Sequence, residues 1–311
     1  MSFFHKLQTA IQKAKNGEFF SHLHDKIMLR LIKNKNVFSE YKKSQAYYKL
    51  KKRYSKFLIK DNTSAPFSAE ETFHVWTCWF QGEENAPALV KVCIDRMRAV
   101  FGKDNITVIT DENFGDFVTL PDYILQKYKR GFISRAHFSD ILRIELLYLY
   151  GGLWLDSTVF CSCKNVPSYI ANSNLFAYKN INLTRNDINP IVASNWLLRA
   201  AKAEKIIGKT RELLFEYWKT EKTVVNYYIF HIFFAFATEV YSDEWKNVPS
   251  FPNTSPHVLQ FEFFAPYSKK RFSQIESMSD FHKLNWKAQK PMNNESLYTF
   301  YDFLLKNATK E

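Results

Sequence analysis

"HFSDILRIELLYLYGGLWLDST", residues 137–158, reads as an apolar helix that ends in two glycines, turns into an apolar strand and leaves one carboxylate, Asp156, at the strand's far end. A helix of this kind needs neither Asp140 nor Arg143 for its own packing. The two stand three apart and share a helix face, with His137 one turn further back. As an ion pair they would be structural. Inside so apolar a segment, however, charged groups need partners or a task. Gly151 and Gly152 suit a left-handed helix cap and a close backbone approach, and so a sharp helix-to-strand turn. Asp156 is followed by Ser157 and Thr158. A carboxylate beside hydroxyls at a strand end can hold a divalent cation that bridges phosphate oxygens; the plain alternative is an Asp bonded to turn amides.

Outward from this segment, strands and helices alternate. "TFHVWTCWF" (72–80) predicts a buried strand and Pro87 a helix start, with "ALVKVCIDRMRAVFG" helical to Gly102. "NITVITDEN" (105–113) predicts a second strand, "PDYILQKYKRG" a short helix, "SRAHFSDILRIELLYLYGG" a longer one, and "LWLDSTVFCS" a third strand. This order predicts an α/β domain around a mainly parallel sheet. Ligands of such sheets gather at the carboxyl ends of the strands. Asp156, the turn from Phe80 to Gly82 and the turn from Thr110 to Asn113 all lie at such ends, so they are expected to meet in one crevice. Beyond residue 165 the pattern is weaker. "EKIIGKTRELLFEYWKTE" (204–221) and "NYYIFHIFFAFATEV" (226–240) predict helices, "NVPSFPNTSPH" (247–257) a turn, and "NESLYTFYDFLLKNATKE" (294–311) a closing helix.

Composition narrows the class. The 311 residues are 46% hydrophobic and 17% aromatic, which excludes a disordered chain. No apolar run reaches the length of a membrane span, the nearest being residues 227–241. The N-terminus lacks the pattern of a cleaved signal peptide. The four cysteines form no CxxC pair and read as small buried hydrophobes in a reducing compartment. Residues 1–60 hold 15 Lys and Arg against 3 Asp and Glu, which is the whole of the net charge of +12. There Phe3, Phe4, Leu7 and Ile11 recur at helical spacing beside Lys6, Lys13 and Lys15, and Leu23, Ile27 and Leu31 continue the series. Such basic amphipathic helices lie on anionic membranes; a helical bundle or oligomer contact and a nucleic-acid arm are the other readings. The polar stretch "DNTSAPFSAEE" (61–71) is the expected linker. The predicted division is residues 1–65 and 66–311.

"SDILRIELLYLYGGLWLDST" also resembles the signature of the capsular polysaccharide synthesis glycosyltransferases, relatives of glycosyltransferase family 32. That signature runs S-D-x-x-R, an apolar helix, L-Y-x-x-G-G, then an apolar strand ending in Asp. The likeness extends upstream through "VWTCWFQGEENAPALVKVCI" and "VITDENF", and downstream through "ASNWLLRA", "YW", "NYYIFH" and "FHKLNWK", so that it spans residues 72–288. The resemblance implies an α/β domain of GT-A type (Rossmann-like), here preceded by a basic α-helical N-terminal region. It also implies transfer of a sugar, with retention of configuration, from a nucleotide diphosphate donor, UDP-linked above all. On this resemblance Asp140, Arg143 and Asp156 are the catalytic residues, and Asp156 with His282 holds Mn²⁺ or Mg²⁺ on the diphosphate. Joined to the crevice read from the strand ends, it gives a donor-binding set of Trp79, Phe80, Gln81, Asn113, Ser139, Asp140, Arg143, Gly151, Gly152 and Lys283. One departure bears on the metal: where the family-32 pattern has D-x-D, this chain has Asp156-Ser157-Thr158, and the second carboxylate is replaced by a hydroxyl. The implied acceptor is a growing, lipid-linked surface polysaccharide. The implied setting is cytoplasmic, peripheral on the inner face of a bacterial cell membrane through residues 1–60, with homo-oligomers allowed and no nucleic acid expected. The rival reading is a catalytically inactive protein of the same fold that binds anionic membrane or nucleic acid through its basic N-terminus.

Overall fold

The computed structural model describes residues 19–60, 73–181, 189–292 and 296–307. The chain divides into two compact units, the first ending at Arg53 and the second running from Tyr54 to Glu311. The expected boundary at residue 65 thus falls too late. Tyr54 already belongs to the second unit: its ring packs edge-on against Phe233 at 5.3 Å and beside Tyr217 at 6.3 Å. The predicted amphipathic stretch from Phe3 to Lys15 and the predicted linker, residues 61–71, lie outside the described residues.

In the first unit two helices, Phe19–Ile32 and Lys35–Arg53, follow one another closely. Lys33 turns the chain at a positive φ of 57°. Asn34 then caps the second helix, its Oδ1 accepting from the amides of Asn36 at 2.9 Å and Val37 at 3.2 Å. Lys42 and Asp25 tie the two helices at 2.7 Å. Leu23, Ile27 and Leu31 lie along one line of the first helix and are exposed.

The second unit is built on a five-stranded mixed sheet with strand order β2-β1-β3-β6-β5. Its strands are β1 (Val75–Cys78), β2 (Ile106–Ile109), β3 (Gly152–Leu155), β5 (Leu175–Lys179) and β6 (Ala193–Ala200). β1 runs parallel to both β2 and β3, as the sequence predicts, whereas β6 is antiparallel to β3 and β5. The two crossovers are the helices Ala88–Phe101 and Arg135–Tyr150. Each buries an apolar stripe: Val90, Ile94 and Met97 on the first; Phe138, Ile141, Leu142 and Ile144 on the second. Ser134 starts the longer helix by accepting from the His137 amide. Gly152 lets β3 begin hard against β1. It has φ +99°, and a Cβ there would stand 2.3 Å from the His74 carbonyl oxygen.

The predicted third strand is two strands. β3 stops at Leu155, the Asp156 amide donates to the Trp196 carbonyl at 2.8 Å, and the Val159 amide returns to the Asp156 carbonyl at 2.9 Å. The chain leaves this turn as β4 (Val159–Cys161), which pairs antiparallel with β7 (Phe281–Lys283) in a second small sheet. The main core lies where the two sheets meet and includes Val75, Leu153, Leu155, Phe176, Leu197 and Phe281. The very apolar helix Ile229–Val240 is a core helix that buries Phe230, Phe233, Phe234 and Phe236. Among the described residues no helix is long and apolar enough to cross a membrane.

Candidate active site

The carboxyl ends of β1 and β3, the first turns of the Arg135–Tyr150 helix and the end of β7 border one crevice of about 670 Å³. That size suits a ligand as large as a nucleotide sugar. At the end of β1 the chain turns at Trp79, whose amide donates to the Ile109 carbonyl at 2.9 Å, and the Gly82 amide closes the turn on the Trp79 carbonyl at 3.0 Å. This turn brings Trp79, Phe80 and Gln81 to the crevice wall. The helix adds Arg135, Ser139, Asp140 and Arg143, and the Asp156 turn adds Asp156, Ser157 and Thr158.

Four charged side chains interlock on its floor. Arg143 bonds Asp140 through Nη1, and its Nη2 donates to Asp156 Oδ1 at 2.9 Å. Lys283 Nζ donates to the other Asp156 oxygen at 2.8 Å and to Thr158 Oγ1 at 2.7 Å. Trp154 Nε1 adds a bond to Asp156 Oδ1 at 3.0 Å, and Asn195 Nδ2 one to Asp140 Oδ1 at 2.8 Å. The Arg143 guanidinium also lies 4.7 Å from the Trp154 ring centre and 5.6 Å from that of Phe230. Its side chain is only 5% exposed, so it is a buried cation held by two carboxylates and two aromatic faces.

The electrostatics of the two carboxylates differ in sign. Burial alone would raise both. At Asp156 the charges of Lys283 and Arg143 and the bonds from Lys283 and Trp154 outweigh burial and hold the carboxyl down at about 2. At Asp140 burial prevails over the attraction of Arg143, and the carboxyl is pushed up.

Of the residues expected from the sequence, Trp79, Phe80, Gln81, Ser139, Asp140, Arg143, Asp156 and Lys283 come together here. Four do not. Gly151 and Gly152 sit at the opposite end of β3 from Asp156, where the Gly151 carbonyl accepts from Trp76 Nε1 at 3.1 Å. Their task is the turn and the close pass at His74, so the donor role is withdrawn. Asn113 spends its amide on its own turn, accepting from the Thr110 amide at 2.8 Å and donating to the Val108 carbonyl at 3.0 Å. His282 is 1% exposed and faces away from the crevice, because neighbours on a strand point to opposite sides. Its Nε2 meets Ser162 Oγ at 3.0 Å, and burial holds its ring down at about 4. It is not a partner of Asp156 in holding a metal.

The donor set that remains does not fit a divalent cation. Mn²⁺ and Mg²⁺ take hard oxygen ligands in number. Here one carboxylate faces one hydroxyl, the space between them is bridged by Lys283 Nζ, and Asp156 Oδ1 is already engaged by Arg143 and Trp154. Among the described residues no three His, Cys, Asp or Glu side chains converge as a metal site.

Sequence reasoning missed Asn195, Trp154, Tyr227, Tyr228 and Trp286, which also line the crevice. Trp154 lies inside the opening segment, two residues before Asp156, and period-2 alternation already puts both on one face. Trp286 meets Trp79 edge-on at 5.5 Å across the crevice rim. Asp111, at the end of β2, accepts from Tyr128 at 2.6 Å and from Arg135 at 2.8 Å, and so anchors the Arg135 guanidinium beside the crevice.

Comparison with known proteins gives three findings. Residues 26–304 match the family model described as "Capsular polysaccharide synthesis protein". Two curated fungal relatives match part of the chain. The glycosyltransferase afumC of Aspergillus fumigatus is 31% identical over 100 residues, which is 29% of this chain and 26% of the relative. The O-glycosyltransferase PaGT of Phomopsis amygdali is 28% identical over 92 residues, 27% of this chain and 23% of the relative. The chain thus spans about a quarter of the length of these relatives. Among solved structures, the PaToxG glycosyltransferase superposes with a TM-score of 0.36 at 13% identity, over 78% of this chain and 87% of that one. That likeness is too slight to build on.

Proposed function

The chain belongs to the capsular polysaccharide synthesis family, and from that premise we propose that it is a glycosyltransferase that takes a sugar from a nucleotide diphosphate donor, UDP-linked, and adds it with retention of configuration to a growing surface glycan. The observation that carries the reading is the interlocked set Asp140, Arg143, Asp156 and Lys283 on the floor of a crevice at the carboxyl ends of β1 and β3. Four cations, Arg135, Arg143, Lys283 and Lys287, line that crevice against the two carboxylates, an excess that favours a diphosphate. Trp79, Phe80 and Tyr227 offer ring faces for a base or a sugar. Arg143 fixes Asp140 and Asp156 relative to one another, so the floor is pre-organised before the donor arrives. A thermal-shift screen of UDP-, GDP- and CDP-sugars tests the donor class. Stabilisation by UDP-sugars above the others supports it, since a ligand of the folded state raises apparent stability by mass action. No shift with any nucleotide sugar overturns it.

The acceptor in this reading is lipid-linked, and the enzyme meets it on the cytoplasmic face of a membrane. The support is the charge of residues 1–60 and the exposed line of Leu23, Ile27 and Leu31. Each basic residue near an anionic surface contributes about 1 kcal/mol, so several suffice for reversible attachment. Co-sedimentation with anionic liposomes should fall with salt and be lost in a chain that starts at Tyr54. Equal binding by both chains would remove the membrane role.

A further inference from the structure

We infer that Lys283 is a built-in cation for the donor's diphosphate, standing between Asp156 and Thr158 where the D-x-D spacing of the family-32 pattern would place a divalent metal, so that donor binding by this chain is independent of metal. The inference rests on the donor reading above and deepens it.

Backbone pairing sets the position. β7 runs antiparallel to β4 with Lys283 opposite Val159, the residue that follows the Asp156-Ser157-Thr158 turn. The Leu284 amide bonds the Thr158 carbonyl at 3.0 Å and locks this register. From there the lysine reaches both side chains of the turn at once, 2.8 Å from Asp156 Oδ2 and 2.7 Å from Thr158 Oγ1. In the family-32 pattern the two carboxylates of D-x-D stand at the positions of residues 156 and 158. With Thr at 158 the pair offers one negative charge rather than two, which balances an ammonium and not a divalent ion. Asp156 is already engaged on both oxygens, Oδ1 by Arg143 and Trp154 and Oδ2 by Lys283. His282, the nitrogen ligand expected beside Lys283, points into the protein toward Ser162.

An ammonium has three donors. Two are spent on Asp156 and Thr158, and the third remains for a phosphate oxygen. The Lys283 side chain is 23% exposed, so solvent and ligand both reach it. In this role Asp156 is a positioning residue: it aims Lys283 and Arg143 and does not touch the diphosphate. That assignment changes the effect expected for its substitution. A metal-ligating Asp156 changed to Asn loses the metal, and with it the donor. An Asp156 that only aims two cations, changed to Asn, loses one of its two acceptor oxygens and so weakens binding to the same extent with and without metal.

The test is calorimetric titration of the full-length protein with UDP and, separately, with inorganic pyrophosphate, each in excess EDTA and again with Mn²⁺, together with Mn²⁺ alone followed by electron paramagnetic resonance. The expected result is equal affinity for UDP and for pyrophosphate with and without Mn²⁺, and no bound Mn²⁺ in the absence of nucleotide. Lys283→Ala should weaken both ligands roughly 10- to 100-fold, the range of a hydrogen bond to a charged group, and Lys283→Arg should restore most of it. Asp156→Asn should weaken pyrophosphate binding by the same factor in EDTA and in Mn²⁺. The parent protein decides the matter even where a variant does not fold. UDP binding that needs Mn²⁺ and disappears in Asp156→Asn would overturn the inference and leave the donor reading intact. Pyrophosphate binding in EDTA without UDP binding would support Lys283 as the cation and overturn the choice of UDP. Failure of the folded protein to bind either ligand in any condition would overturn both.

Discussion

At one end of the Arg135–Tyr150 helix and β3, Asp140, Arg143 and Asp156 are charged, interlocked and open to a crevice; at the other end, Gly151 and Gly152 carry no side chains and are fixed by backbone geometry. The quoted segment contains both ends within 22 residues, and both look unusual for a core helix and strand. Only the first end belongs to the site. Gly151 turns the helix end at a φ of 71°, and Gly152 is there because a Cβ on it would stand 2.3 Å from the His74 carbonyl oxygen, a demand of packing rather than of a ligand. A residue can thus be indispensable to the segment and still lie a full strand away from its chemistry. Substitutions at the two ends should separate these roles.

The largest effect is expected from Arg143→Ala. It leaves Asp140 and Asp156 facing one another without their shared buried cation, and breaking a buried pair of this kind costs about 3–5 kcal/mol. Chemical denaturation should show that loss, and the folded remainder should bind no UDP-sugar. Unchanged donor affinity in the folded mutant would make the charged end as structural as the glycine end. Gly152→Ala comes next. Strained backbone and the clash with His74 together should cost about 2 kcal/mol or more, with donor affinity per folded molecule unchanged. A selective loss of donor binding in this mutant would return the glycines to the site.

His282 gives a third separation, between its own inward side and the crevice side of Lys283. Its folded value of about 4 lies below the ordinary 6.5. Between those values the unfolded chain binds a proton on His282 that the folded chain does not, so stability falls as pH drops from 6.5 to 4 and this contribution is flat below that. His282→Gln should flatten the pH profile in that window by up to about 1.4 kcal/mol per pH unit, as read from denaturation midpoints. An identical slope in the mutant would place the His282 ring in contact with water. The smallest stability effect belongs to Lys283→Ala, at about 1 kcal/mol or less, because its ion pair is partly exposed. A collapse of stability there would make Lys283 a structural residue.

Much of the fold was legible. The spacing of apolar residues located the helices Ala88–Phe101 and Arg135–Tyr150, and short apolar runs bounded by turn residues located strands β1 and β2. The break at Asp156 was not legible, because "LWLDSTVFCS" is apolar on both sides of the turn and only long-range pairing sends β4 to β7. For the same reason Asn195, 55 residues from its partner Asp140, gave no signal. The placement of His282 and Lys283 on one site was open to correction from the sequence: adjacent residues of a strand face opposite ways, so one of them had to point inward.

Hydrogen exchange with and without a UDP-sugar tests most directly whether the charged end of the segment is the donor site. Added protection is expected in the loops that border the crevice, residues 79–82, 156–158 and 284–287, where amides outside regular structure respond most. The turn at Gly151 and Gly152 should not change. Protection confined to the glycine end, or to any surface away from the crevice, would contradict the assignment.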